Sequence, residues 1–568
     1  MKNVESCVIF MELKKNSFMQ GAFVATLGIV ICKILGILYV IPFHAIIGEQ
    51  GGALYGYAYN IYNIFLSISQ AGIPLAMSKI ISEYYTLGYF KTKERAFKLG
   101  KRLLFMMGLV CFIVLFVFAD QIGYMIIGNI TGGNSKEDVA FVIRLISTAI
   151  LIIPILSVSR GYFQGHKFIT PTSISQIIEQ VVRVTIIVFG SFLMYRVFHL
   201  SLKLTVGCAV FAATVGGIAS YAYLLYKEKK NKKELMVIDK SVKEPKVSDK
   251  EIMKKILAYA IPFIMIDLFR SLYNSVDVVT LVKTLVNDIG YQVKDAESIM
   301  SIISTWGLKI NMIIIAIVSG IMTSLIPNLT ASYVQNDMKE VKNKINKTYQ
   351  VILFFTVPMT VGLSLLAKPV WTIFYGASKY GAITYQYMVF VALATALFTS
   401  TVTIVQLLKE YKMVFISLLS GMLFKVALNI PFIYGFNKLG LPAYYGAITA
   451  TILGFLTSSI ICMIFLKKKY KVNFDSTINE FLNILIAIIT MVLCLSAMKL
   501  VIPVTTPSRL KAILVILIYT LVGSAIYIGI TYATNTINHI FGAKTVKNIL
   551  NKLFRCKRNV KKNGKKKV

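Results

Sequence analysis

The sequence has no Walker-type phosphate loop and no nucleophile motif, so neither nucleotide hydrolysis nor covalent group transfer has a local signature. Its four histidines, His44, His166, His199 and His539, show no ligand spacing, and no metal or other cofactor is expected. Seven cysteines are scattered, mostly inside apolar segments, with no CxxC pair; they read as small core residues, not a disulfide framework. The first apolar segment lacks a small-residue cleavage site and should be retained as a helix. Acidic residues are scarce, 25 against 61 Lys and Arg, for a net charge of +36. Such an excess is familiar from nucleic-acid binders, but no DNA- or RNA-binding motif accompanies it. The basic residues lie instead in short runs between apolar blocks, the positive-inside pattern of a multispanning membrane protein.

What is abundant is apolar length. The chain has 568 residues, 56% of them hydrophobic, in blocks of the roughly 20 residues that a bilayer-crossing helix needs. We expect an all-α polytopic membrane protein with about 14 transmembrane helices. The blocks begin with 17–43 and 55–84, which flank the glycine-rich turn Gly48–Gly52, and the seventh covers 254–286. Basic runs such as Lys91–Arg102 and Lys227–Lys255 fall in the even-numbered turns, and both ends of the chain are basic. An even span count then puts both termini in the cytoplasm. The tail ends KKNGKKKV and reads as a solvated anchor on anionic lipid.

An internal repeat divides the chain. GIPLAMSKIISEYY at 72–85 is echoed by SLIPNLTASYVQN at 324–336, and GYFQGHKFITPTSISQ at 161–176 by QLLKEYKMVFISLLSG at 406–421. Both echoes lie about 250 residues on, the offset of a parallel repeat of six spans. The expected organisation is a cytoplasmic extension over 1–16, dispensable up to Met11, and an N-lobe over 17–226. A polar cytoplasmic linker over 227–254 leads to a C-lobe over 255–466, an added pair of spans over 467–535 and a basic tail over 536–568.

Charges at membrane depth are the candidates for function, because each costs about 2.5–3.5 kcal/mol to insert and should face a partner or a wet cavity. Glu179 and Arg183 stand four apart and Asp267 and Arg270 three apart, so each pair is placed to meet on one helix face. Arg160, Lys283 and Lys368 lie near span ends and should snorkel. Lys33, Arg144 and Lys309 have no acidic neighbour at helical spacing. With Lys79, Arg183 and Arg270 they form the candidate substrate-binding set, suited to a phosphate or pyrophosphate. Asp267 and Asp277 are the candidates for ion coupling, and Lys425 is a comparison site expected to matter less. The tyrosines of the second span, Tyr55, Tyr57, Tyr59 and Tyr62, read first as an interfacial belt and second as a sugar-stacking face.

The opening block, Lys33-Ile-Leu-Gly36, Ile41-Pro42, Gly51-Gly-Ala-Leu-Tyr-Gly56, Ala71-Gly-Ile-Pro74 and Ser78-Lys79, resembles the bacterial flippases of the MOP exporter superfamily. The closest likeness is to the YtgP-like branch, near the stage V sporulation protein B family and related to the lipid II flippase MurJ family. Arg160-Gly-Tyr-Phe-Gln-Gly165, Ser175-Gln176 and Glu179-Gln180 extend it, and it covers nearly the whole chain from Met11. The resemblance implies two six-helix lobes around a central cavity, alternating access, and a groove at spans 13 and 14 for a polyprenyl tail. It also implies an undecaprenyl-pyrophosphate-linked cell-wall precursor as substrate, with Lys33 and Lys309 at the positions of essential family cations. Tyr39 and Val40, and Leu66 in the second span, depart from the family pattern of further charges. The function expected is a lipid II-like flippase without ATP hydrolysis, not an enzyme, driven by membrane potential or a monovalent cation and working as a monomer in the cell membrane. Two alternatives stand beside it: a cation-coupled multidrug exporter of the same superfamily, centred on Asp267 and Asp277, and a polytopic glycosyltransferase or polymerase. The second would need catalytic groups in larger outer loops than the sequence offers.

Overall fold

A computed structural model of the protein describes residues 18–70, 72–235, 244, 247–504 and 508–543. The extension before Met11, the linker segment 236–243 and the basic tail beyond residue 543 lie outside the described residues. Among the described residues all regular structure is helical. Lipid demands this, since a helix satisfies every backbone N–H and C=O within its own segment.

Twelve helical stretches among the described residues, from Val40–Thr86 to Arg509–Ala533, are long and apolar enough to cross a membrane. The expected count of fourteen is not confirmed among the described residues. The first expected span supplies the 21-residue Phe18–Leu38 helix. The seventh falls in Asp249–Lys283, which carries Asp267, Arg270 and Asp277 along its length. Neither is among the twelve. Large apolar side chains lie exposed along the outer helices, among them Leu482, Ile486, Ile489 and Leu493 on one and Leu514, Leu517, Leu521 and Ile528 on another. Stripes of that kind at helical spacing belong in lipid. The protein is a multi-pass membrane protein.

The chain forms two compact units, Met1–Met312 with Val414–Gly454, and Ile313–Met413 with Phe455–Val568. In the first, Ile73–Thr86 lies against Ala149–Gly165, and both pack with Phe90–Val117. Met77, Ile80, Tyr84, Leu156, Tyr162 and Phe97 make a continuous buried core there. The Phe97 and Tyr162 rings stack at 3.9 Å. Two glycines shape this unit. Gly48 (φ 62°) breaks Val40–Gln70, and Gly72 (φ 68°) starts Ile73–Thr86 in the left-handed region that only glycine enters freely. A Cβ on Gly72 would also lie 2.2 Å from that of Phe263. Pro74 follows in the first turn, where its missing N–H leaves no bond unmade.

The described ends of the linker are fastened to this same core. The Lys93 ammonium, fully buried, donates to the Leu235 carbonyl at 2.6 Å and lies 2.9 Å from His166 Nε2. Glu244 caps the Phe90–Val117 helix, accepting from the Lys91 and Thr92 amides at 2.8 and 2.9 Å and from the Thr92 hydroxyl at 2.8 Å. A carboxylate suits a helix N-terminus, where backbone donors are otherwise unmatched.

In the second unit, Met338–Leu365 packs on Phe390–Leu407 and on Asp475–Val501, and Arg509–Ala533 on Asp475–Val501 and Ala367–Tyr375. Tyr349 Oη donates to Thr401 Oγ1 at 3.0 Å, and Tyr527 Oη to the Phe354 carbonyl at 2.8 Å.

Candidate functional site

The first unit holds a cluster of tyrosines and cations. Tyr39, at the junction of Phe18–Leu38 and Val40–Gln70, is buried beneath the Lys309 ammonium, which lies 5.4 Å from the centre of its ring. That distance is within cation–π range. Phe43 packs edge-on against Tyr55 at 5.2 Å, Tyr55 sits 4.4 Å from Tyr59, and Tyr59 sits 5.8 Å from Tyr62. Arg183 reaches the same place from Ile169–Thr185, within electrostatic range of Tyr39, Tyr55 and Tyr59. Its guanidinium donates to the Gln180 side chain. The belt reading of these tyrosines is corrected: Tyr55, Tyr57 and Tyr62 are buried, and the hydroxyl of Tyr57 has no hydrogen-bond partner.

Lys33 stands half-buried on Phe18–Leu38, next to Cys32, which is within electrostatic range of Glu179, Arg160 and Arg183. Arg160 does not snorkel. It is 8% exposed, joined to Glu179 at 2.7 Å, to Ser175 Oγ at 2.9 Å and to Ser220 Oγ at 3.0 Å. Glu179 is thus the partner of Arg160, while the hydrogen bond of Arg183 goes to Gln180.

A second feature is a cleft of about 360 Å³ between Val40–Gln70, the start of Ile73–Thr86 and Asp249–Lys283. Asn63, Leu66, Ser67, Asp267, Arg270 and Ser271 line it. Ser67 and Ser271 join their hydroxyls across it at 3.0 Å. The local Asp267–Arg270 pair forms, but at 3.5 Å with both side chains more than two-fifths exposed. An exposed pair at that length holds its guanidinium weakly. The buried Nε of Arg270 has no acceptor. Leu66 of the second span lines the same cleft as Arg270 of Asp249–Lys283.

The remaining candidates stand apart. Arg144 is bound to Asp120 at 2.5 Å near the protein surface. Lys79 is exposed, its ammonium 3.9 Å above the Tyr259 ring. Lys283 donates to the Met125 carbonyl at 2.6 Å. Asp277 is no open carboxylate, for Lys425 meets it at 2.6 Å with both side chains buried. Sequence reasoning missed Arg160, Tyr39 and Lys425 as constituents of these clusters. Their partners come from other spans, which helical spacing does not reveal.

In the second unit, an apolar groove of about 350 Å³ is lined by Phe354, Pro358, Leu363, Met491, Tyr519 and Tyr527, among others. Asp475–Val501 and Arg509–Ala533, which carry the expected added pair of spans, form one side of it.

A model of the family described as polysaccharide biosynthesis protein matches residues 18–330. The chain belongs to that family. It is 31% identical over 538 residues to the lipid II flippase MurJ of Bacillus subtilis (strain 168), an alignment covering 93% of this chain and 97% of the relative. A solved structure of lipid II flippase MurJ in an inward closed conformation is similar with a TM-score of 0.62 at 16% identity, over 90% of this chain and 99% of that one. An inward-facing multidrug resistance MATE family transporter of the MOP superfamily is similar with a TM-score of 0.59 at 13% identity, over 79% and 98% of the two chains. At those identities the two structures establish the fold alone.

Proposed function

We propose that this protein is a flippase that moves an undecaprenyl-pyrophosphate-linked cell-wall precursor of the lipid II type from the inner to the outer leaflet by alternating access, without hydrolysing ATP. The observation that carries the reading is the 31% identity to a lipid II flippase along nearly the whole chain, 93% of it. The chemistry of the first unit agrees with it. Arg270 lines an open cleft, and Lys309 and Arg183 gather at a tyrosine cluster, so an anionic headgroup finds charge-assisted donors. The groove of the second unit offers an apolar lining of the kind a polyprenyl chain requires.

With both termini in the cytoplasm, as the basic runs favour, the substrate leaves a negative interior. A pyrophosphate diester carries about two negative charges, and each is driven outward by about 2.3 kcal/mol per 100 mV. The membrane potential then serves as the energy source, and the chain acts as a monomeric transporter rather than an enzyme. The multidrug-exporter reading needs a free carboxylate; Asp277 is matched by Lys425, so that reading would rest on Asp267, which is loosely paired with Arg270 in the cleft.

The test is complementation of a strain depleted of its lipid II flippase, with lipid II at the outer leaflet as the readout. Growth with restored outer-leaflet lipid II is expected. A protein present at normal membrane abundance that restores neither would overturn the reading.

A further inference from the structure

The Asp277–Lys425 pair lies in an oxygen-lined centre built from three helices, Asp249–Lys283, Tyr411–Lys438 and Tyr445–Tyr470. Lys425 is wholly buried and Asp277, Thr451 and Asn429 are at most 5% exposed. The ammonium bonds Asp277 Oδ2 at 2.6 Å and also the Thr451 hydroxyl. That hydroxyl donates in turn to the Ala447 carbonyl at 3.0 Å, which leaves its lone pairs for the ammonium. Asn429 donates through Nδ2 to Thr280 Oγ1 at 2.8 Å. Two acceptors remain without a partner, Asp277 Oδ1 and Asn429 Oδ1, and both are buried oxygens.

A carboxylate, a hydroxyl and an amide oxygen make a ligand set for a hard cation. With one carboxylate the set carries a single negative charge, which one monovalent cation balances, and a buried carboxylate demands such a balance. We propose that Lys425 is a tethered cation: its ammonium fills a site that in its absence takes a free alkali-metal ion, sodium or potassium. The protein therefore carries its own counter-ion here, and an ion gradient does no work at this centre.

The experiment uses the purified full-length protein in detergent, with radioactive sodium as the probe and thermal unfolding in sodium chloride against choline chloride at equal ionic strength. Wild type should bind no sodium saturably and should unfold at the same temperature in both salts. Lys425→Ala should bind sodium saturably and unfold at a higher temperature in sodium than in choline. Lys425→Ser, which adds a hydroxyl ligand, should do so more strongly. The double variant Lys425→Ala with Asp277→Asn should lose the sodium response. Saturable sodium binding by wild type that Asp277→Asn abolishes would overturn the proposal. So would folded Lys425→Ala and Lys425→Ser proteins that bind no sodium, or the failure of both to fold in sodium as in choline. None of these outcomes depends on what the protein transports.

Discussion

Two acid–base pairs on one helix behave as opposites. Asp267 and Arg270 share a face of Asp249–Lys283, yet they stand 3.5 Å apart with side chains 44% and 42% exposed. Asp277, ten residues after Asp267, is matched by Lys425 from another span at 2.6 Å, with exposures of 6% and 0%. Proximity in sequence gave the looser pair. An exposed pair has water as an alternative partner for each charge, so little binds it together. A buried pair has none, so each member depends on the other for its charge to be tolerated at all. On the proposed function, the open pair is a place where a substrate anion would compete for a guanidinium, and the closed pair is a place where nothing enters without displacing a residue.

The largest expected effect tests the closed pair. Lys425→Ala in choline salt leaves Asp277 charged and unmatched in the interior, a loss of about 3–5 kcal/mol of stability. Detergent thermal unfolding and membrane abundance measure it, and adding Asp277→Asn should return most of the loss. An unchanged unfolding temperature in the single variant would remove the distinction between the two pairs. Lys425 is accordingly no harmless comparison site.

The open pair is expected to matter for transport instead. Arg270→Ala should weaken headgroup binding by about 1.5–3 kcal/mol, the worth of a hydrogen bond to a charged group, and should abolish complementation while abundance stays normal. Lys309→Ala and Lys33→Ala should act in the same direction. Lys33→Arg should retain part of the activity, since it keeps the charge but not the geometry. If Arg270→Ala supports growth at normal expression, the cleft is not on the substrate path.

The contrast also shows where the sequence was legible. The all-helical membrane class and the basic turns could be read directly, because apolar length and charge placement are one-dimensional properties. The weak Asp267–Arg270 pair was also visible, since three-residue spacing fixes a shared helix face. The strong pairs were not. Arg160 and Glu179 meet across two adjacent spans, and Asp277 and Lys425 are 148 residues apart. A single sequence carries no sign of which distant charges will meet. The tyrosines of the second span failed for a related reason, because a ring with a polar tip is equally at home in a belt and against a buried cation. Burial of Tyr55, Tyr57 and Tyr62 spoke against the belt.

A smaller effect sharpens the comparison from the other side. Asp267→Ala removes an exposed partner at the limit of ion-pair distance, so stability should change by no more than about 0.2–1 kcal/mol. The same change frees Arg270 and should leave headgroup binding equal or tighter. A stability loss as large as that of Lys425→Ala would mean that the two pairs do not differ in kind.

The smallest effect concerns a carboxylate outside the membrane spans, where water, helix donors and a neighbouring cation all compete. Partial burial pushes the Glu244 pKa up, but hydrogen bonds from the Lys91 and Thr92 amides and the Thr92 hydroxyl, helped by the Lys91 charge, outweigh it. The carboxyl is held below the ordinary carboxylate range. A group whose pKa is lower in the folded than in the unfolded state binds its proton more weakly when folded, so its contribution is complete above the unfolded value. That contribution is lost as pH falls through the folded one. The cap on Phe90–Val117 should therefore hold through neutral pH and loosen only in acid below the usual carboxylate range. Glu244→Gln removes the titrating group and should flatten that part of the acid limb. Hydrogen exchange at the Lys91 and Thr92 amides, followed from neutral to acid pH after correction for intrinsic exchange, is the measurement. Protection that falls in wild type at acid pH, and is already lower and pH-independent in Glu244→Gln, is the expected result. Equal protection in both proteins across the range would show that the linker carboxylate does not cap this helix.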